Sequence, residues 1–470
     1  MRKPLLSLTA ALALAACAAP QPATPSASVP APAASLAPAA DTSFFPAWSR
    51  DAVIYEVNVR QFTPEGTFNA LLPHLPRLKQ LGVDILWLMP VQPIGVQGRK
   101  GGLGSYYSIR DYTEVNPEHG SQADFRRFVD AAHAQGLRVI LDWVANHTAH
   151  DHPWTREHRN FYTLRPDGSI SYPRNEDGTE TDWTDVADLN YGNAAMRRAM
   201  LAEMRWWVDS MNIDGFRMDV AWGVPLDFWA AAHRELTAAR PDLFLLAEAE
   251  DPRLHASFHA TYGWKLHHLL NELAQGKKPT SELDRYFAEQ DRVYGRAAYR
   301  MYFTSNHDEN SWQGSEFERM GANHLPAFVL SATVQNSIPL LYTGQEASLN
   351  KRLRFFEKDT VNWSGPSLAE FYRALFELKA QQPALGNGPW GGDQAALRTD
   401  GGERVYAFTR TRGANTVLVA VNFGDAPATV AYRGLQQPGG YTDWFSKARV
   451  SLAASGTLQL PAHGYRVLVR

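Results

Sequence analysis

Short runs of aliphatic and aromatic residues recur along this chain, separated by stretches with helical periodicity. The runs fall at 53–59, 84–90, 138–144, 215–220, 244–248, 301–305 and 339–342. Each is apolar nearly throughout, the pattern of a strand buried on both faces. Between the third and fourth runs, Leu201, Met204, Val208 and Met211 recur at spacings of three and four, defining one face of a helix over 195–211. Residues 121–136 read likewise, with Ser121 as cap and Gly136 as stop. Strand–helix units repeated over about 330 residues predict an α/β fold, a (β/α)8 TIM barrel. Seven strands are evident, and the sixth in order is expected near 261–266.

Two segments break the alternation. Residues 148–190, after the third strand, are rich in His, Pro, Gly and Asp and predict a long loop-rich insertion. Beyond about residue 383 the runs shorten and are parted by glycine-containing turns, which predicts a C-terminal antiparallel β-sandwich. The expected organisation is therefore a barrel over 44–382 and a sandwich over 383–470.

The N-terminal end has another character. Arg2 and Lys3 precede an apolar run from Leu5 to Ala16, too short to span a bilayer, which ends at Cys17, the chain's single cysteine. With one cysteine no intrachain disulfide can form. The ending Leu14-Ala15-Ala16-Cys17 resembles a bacterial lipobox, whose cysteine is acylated; the alternative is an ordinary signal peptide with an incidental cysteine. Residues 18–43 are mostly Ala, Pro and Ser, a composition that cannot offset its ordering entropy by burial, and they read as a tether. The expectation is an exported protein, held to a bacterial membrane only through a lipid on Cys17. A net charge of −3 offers no electrostatic case for binding nucleic acid.

In a barrel of this kind, polar groups at the C-terminal strand ends point into the functional site. Here those ends carry Asp142 through Asn146-His147, then Arg217-Met218-Asp219, Glu248, and Asn306-His307-Asp308. Arg217 and Asp219 are two residues apart and face the barrel centre, while Phe216, Met218 and Val220 are expected to face the helices. A neighbouring arginine favours the ionised carboxylate, so Asp219 is expected to be held charged.

These four segments, in this order, resemble the signature regions of the α-amylase family of retaining glycoside hydrolases. The similarity extends to Asp188-Leu189-Asn190 and to Tyr107 through Asp111-Tyr112. The resemblance implies that Asp219 is the nucleophile, Glu248 the general acid/base, and Asp308 a stabiliser of the transition state. It further implies that Arg217 orients Asp219, that His147 and His307 hydrogen-bond the sugar, and that Tyr107 stacks beneath it; Asp142 is expected to brace its strand. The chemistry is consistent on its own terms. Retention needs two carboxyl groups about 5–5.5 Å apart, and adjacent strands lie about 4.8 Å apart.

The pattern departs from the family after Asp219, where a Lys-His pair is replaced by Trp222-Gly223. Trp222 either stacks on a sugar or walls off the groove. Asn146 matches a family calcium position and Asn190 stands where a family carboxylate can occur, which leaves room for a structural calcium, although the chemistry requires no cofactor. Gly98-Arg99-Lys100-Gly101-Gly102 reads as a solvated turn rather than a basic loop facing substrate. The implied function is hydrolysis of α-glucosidic, mainly α-1,4, bonds in starch-like glucans or maltooligosaccharides by a monomer. The competing readings are a transglycosylase or isomerase of the same family, and a non-catalytic glucan-binding surface lipoprotein.

Overall fold

The computed structural model describes residues 42–470, apart from 176 and 297; Cys17 and nearly all of the Ala/Pro/Ser stretch lie outside the described residues. Eight parallel strands close into a barrel: β1 (Ile54–Val57), β2 (Ile85–Leu88), β3 (Arg138–Val144), β4 (Gly215–Asp219), β5 (Phe244–Ala247), β6 (Ala260–Tyr262), β7 (Tyr299–Tyr302) and β8 (Ser337–Tyr342). Each pairs with its sequence neighbours, and β8 closes on β1 with Ile54 opposite Leu340. Among the helices outside it are α1 (Leu75–Leu81), α2 (Gln122–Ala134), α3 (Ala194–Met211), α4 (Leu226–Ala239), α5 (Trp264–Ala274), α6 (Glu282–Tyr294), α7 (His324–Thr333) and α8 (Ala369–Gln381). Ser121 caps α2 through a full capping box with Asp124, and Gly136 adopts positive φ two residues past its end.

Strand alternation sorts the side chains into two cores. Outward-facing Leu86, Leu141, Phe216, Met218 and Leu245 pack against the helices with Met204, Trp207 and Phe228. Inward-facing Ile54, Ile85, Ile140, Phe244, Leu246, Tyr299 and Leu340 fill the lower barrel. The residues just before β1 cover the strand-beginning end. Phe45 stacks on Tyr299 with ring centroids 4.5 Å apart, Trp48 lies 5.8 Å from Phe244, and Trp48 Nε1 donates to Asp242 O at 3.1 Å.

Two strands sit away from their expected places. The sixth is only Ala260–Tyr262, and Trp264, expected within it, begins α5. Its Thr261 and the preceding His259 leave no apolar run to detect. The seventh is Tyr299–Tyr302 rather than 301–305. Its Arg300 is fully buried, paired with Glu250 and lying 3.9 Å over the Tyr294 ring, so a charged residue stands inside the strand.

The 148–190 insertion is pinned at its root by antiparallel pairing of His147–Ala149 with Val186–Asp188. The C-terminal region forms a six-stranded and a three-stranded antiparallel sheet. Val405, Ala407, Leu418, Ala420 and Leu468 fill the space between them with Val430 and Leu458. The alternate residues Phe408, Val417, Val419, Val421 and Val467 join the barrel's outer core, so one sheet is buried on both faces.

Lys379 on α8 ties these parts together, donating to Ser337 O at 3.1 Å and Leu385 O at 2.7 Å while 2% exposed. Burial, with the nearby Arg410 adding to it, pushes its ammonium down from 10.5 to about 7. Because the folded value is depressed, the unfolded chain binds the extra proton between those values, and stability rises with pH across that window. Thermal melts should therefore show wild type gaining on Lys379→Met as pH climbs from about 7 towards about 10; a constant gap would show that Lys379 is not buried as an uncompensated cation.

Candidate active site

Above the aliphatic layers the barrel interior turns polar, and Arg217 stands at its centre. Its side chain is fully buried, with the guanidinium carbon 5.0 Å from the Trp87 ring and 5.5 Å from the Tyr262 ring. Nη1 donates to Asp142 Oδ1 at 2.8 Å and to Asp219 Oδ1 at 3.0 Å. Nη2 lies 2.8 Å from Glu248 Oε1, and Nε donates to Tyr262 OH at 3.0 Å. The ends of β4 and β5 thus present Asp219 and Glu248 to one guanidinium, as neighbouring strands of one barrel must.

Asp142 is enclosed by protein. Besides Arg217, its Oδ2 accepts from Trp87 Nε1 at 3.0 Å and from Tyr107 OH at 3.1 Å. It braces the site without lining the cleft. Asp219 keeps a buried Oδ2 with no hydrogen-bond partner. Asp219, Glu248, Asp308, Tyr107, His147 and His307 all line one cleft of about 770 Å³, while Arg217 and Asp142 lie behind it.

The turn after Asp219 is strained. Val220 adopts φ 45° and ψ 45°, a left-handed conformation that is a genuine outlier for a β-branched residue. The expectation that Val220 faces the helices is thereby corrected: it lines the cleft, and its N–H donates to Glu248 Oε2 at 2.9 Å. The same turn brings Trp222 to the cleft, 36% exposed. A side chain at Gly223 would come within 2.7 Å of Asn146 Oδ1, so nothing bulkier fits there without a shift.

Charge is distributed unevenly. Burial and the neighbouring Glu248 push the Asp219 carboxyl well above the ordinary carboxylate range, with Arg217 opposing. The expectation that the arginine alone would hold Asp219 low is therefore corrected, because desolvation outweighs it. Burial also raises Glu248 and the charge of Asp308 adds to it, against Arg217. His307 Nδ1 lies 2.5 Å from Glu56 Oε1, and its Nε2 is 2.8 Å from Tyr107 OH and 3.2 Å from Asp308 Oδ2. Those two carboxylates outweigh burial and hold it as an imidazolium. His147 has no such partners, and burial drives it down to about 3, so it is neutral.

Glu56 escaped the sequence reading. It is an acidic residue at an inward position of a strand whose neighbours are apolar, which is the signal that would have found it. Trp183, Trp264 and Phe355 also line the cleft without having been singled out. The Gly98–Gly102 segment is a largely exposed turn, as expected, but its Lys100 also reaches the cleft.

Of the two amides that bear on calcium, one has its oxygen engaged and the other its nitrogen. Asn190 Oδ1 accepts from Gly192 N at 2.9 Å, and Asn146 Nδ2 lies 3.3 Å from His147 Nδ1. Calcium takes six to eight oxygens with charge among them, of which these two amides would be two.

Comparison with known proteins agrees with the geometry. Residues 41–365 match the family model for the α-amylase catalytic domain, and residues 397–468 that for the α-amylase C-terminal all-beta domain. The chain is 31% identical over 411 residues to α-amylase MalA of Haloarcula japonica, covering 82% of this chain and 57% of that protein. It is 23% identical over 438 residues to α-amylase 2 of Dictyoglomus thermophilum, covering 85% and 73% respectively. The crystal structure of the maltogenic α-amylase AmyB from Thermotoga neapolitana superposes with a TM-score of 0.80 at 28% identity, over 89% of this chain and 98% of that one. With matching models over both the barrel and the β domain, the chain belongs to the α-amylase family.

Proposed function

We propose that this chain hydrolyses α-glucosidic bonds, mainly α-1,4, in starch-like glucans or maltooligosaccharides, with retention of configuration. The observation that carries the reading is the placement of Asp219 and Glu248 on adjacent nitrogens of the buried Arg217, with Asp219 Oδ2 unpartnered at the cleft. Two carboxyls that both resist ionisation favour one proton between them, and the chemistry places it on Glu248.

In the first step Asp219 Oδ2 attacks the anomeric carbon and the glycosidic C–O bond breaks. Glu248 gives its proton to the departing oxygen, and the sugar is left as a covalent ester on Asp219. In the second step water attacks from the vacated side, Glu248 takes back a proton, and the ester bond to Asp219 breaks. Arg217 holds the nucleophile in line, and Tyr107, stacked on His307 at 5.4 Å, forms the floor under the reacting sugar. Asp308 and His147 accept and donate hydrogen bonds to its hydroxyls. Every step uses side chains of the chain itself.

Asp219→Asn and Glu248→Gln should each lower kcat/KM on maltoheptaose by about a thousandfold with circular dichroism unchanged. Proton NMR of the wild-type reaction should show the α anomer forming first and only shorter reducing oligosaccharides accumulating. A β anomer would sink the retaining mechanism. Longer or rearranged products would make the enzyme a transferase.

We also infer that the chain is exported and anchored through Cys17, on the strength of the Leu14-Ala15-Ala16-Cys17 ending. Cells expressing wild type should incorporate labelled palmitate into the protein and keep it in the membrane fraction, whereas Cys17→Ser should do neither. Unlabelled wild type would leave an ordinary signal peptide as the better reading.

A further inference from the structure

The rim of the cleft is cross-linked along one side. Trp312, in the turn after β7 and Asp308, packs on Phe355 and Phe356 from the loop after β8, with ring centroids 5.2 and 5.8 Å apart. That loop is bonded to the glycine-rich loop after β2: Leu103 N donates to Phe356 O at 2.9 Å, and Gly102 N to Glu357 Oε1 at 2.7 Å. Arg60, from the short helix after β1, is 2% exposed and joins both loops by donating to Gly104 O at 3.1 Å and Phe355 O at 3.2 Å. It also lies 4.0 Å over the Tyr106 ring. The glycine loop then reaches the insertion after β3, where Lys100 Nζ donates to Asp182 O at 2.8 Å and lies 3.4 Å from Asp185 Oδ1.

Glycine is what allows this approach. A side chain at Gly101, which also has φ +64°, would come within 2.4 Å of Phe356 Cβ, and one at Gly102 within 2.7 Å of the Glu357 carboxylate. The lone surface ion pair of Lys100 contributes little by itself. The buried Arg60 and the backbone bonds are what make the rim rigid.

Lys100, Trp312, Phe355 and Phe356 line the cleft from this rim. The side is set by the chemistry. Glu248 must reach the departing oxygen, so the leaving sugar lies towards the loops after β4, β5 and β6, which contribute Trp222, Glu250 and Trp264. The retained sugar lies over Tyr107, and Phe355 stands 6.3 Å from that ring and nearly parallel to it. The cross-linked rim therefore faces the non-reducing end of the bound chain.

We propose that the loops after β7, β8, β1, β2 and β3 form a wall across the non-reducing end of the cleft, so that the enzyme attacks glucan chains from their ends. The inference rests on the hydrolytic reading above and adds the substrate's end-selectivity. A chain passing through would have to displace the wall; a chain end needs only to abut it.

The test compares two chromogenic maltoheptaosides, one with a free non-reducing end and one carrying a 4,6-benzylidene block there. The free compound should be cleaved, and the blocked one at least about 100-fold more slowly, because displacing the bound chain misaligns its anomeric carbon. Similar rates on both would overturn the wall. No cleavage of the free compound would overturn the hydrolytic reading and this inference with it. In Phe356→Ala/Glu357→Ala, which removes the ring packed on Trp312 and the acceptor of Gly102 N, verified as folded by circular dichroism, the blocked-to-free rate ratio should rise severalfold. An unchanged ratio would overturn the assignment of the wall to these loops.

Discussion

Everything in the cleft is organised by a guanidinium in a place where charge is costly. Arg217 sits inside a barrel among Trp87, Tyr107 and Tyr262, unreachable by solvent, and Asp142, Asp219 and Glu248 close around it. Removing one member of such a buried set strands the rest, a loss of about 3–5 kcal/mol in typical cases. The arginine does more than neutralise. Its planar fork fixes the angle between two carboxylates on different strands, which a lysine's single point of charge could not do. Behind it, Asp142 receives donors from Trp87 and Tyr107 and so ties β2 and its loop to the same centre.

The surplus of acid gives the site its proton. Arg217 and His307 face Asp142, Asp219, Glu248, Glu56 and Asp308, and no arrangement of those groups fully ionised would be neutral. Low dielectric turns that imbalance into raised proton affinities at Glu56, Asp142, Asp219 and Glu248, while the His307 imidazolium holds Asp308 low. Glu56 spends its charge on His307, which leaves the Asp219–Glu248 pair to hold a proton at the cleft. The local backbone takes part as well. Val220 tolerates a left-handed twist so that its N–H reaches Glu248, a strain the packed barrel around it must sustain.

Legibility followed the physics of each element. Strands such as β3 and helices such as α3 could be read because burial on both faces, or on one stripe, leaves a pattern in the residues. Strand β6 could not, because three residues with a central threonine carry no pattern, and β7 was displaced by a buried arginine whose charge is met by Glu250, fifty positions earlier in the chain, with Tyr294 beneath it. The carboxylates of the cleft were legible through their company at strand ends. The direction of Asp219's shift was not, because adjacency in sequence reveals the arginine but not the depth of burial. The part the glycine loop plays in the cleft was not legible for a related reason: its contacts include residues some 250 positions away, such as Glu357 with Gly102.

The aromatic cover at the barrel's lower end has a consequence for where the barrel can be changed without touching its chemistry. Phe45 and Trp48 rest on Tyr299 and Phe244, the first residues of their strands, while the cleft opens where the strands finish. The two ends of the barrel are therefore built separately, an aromatic seal at one and a charged cleft at the other. Loosening the seal would let water reach the aliphatic layers and cost stability, at a distance from the carboxylates that do the chemistry.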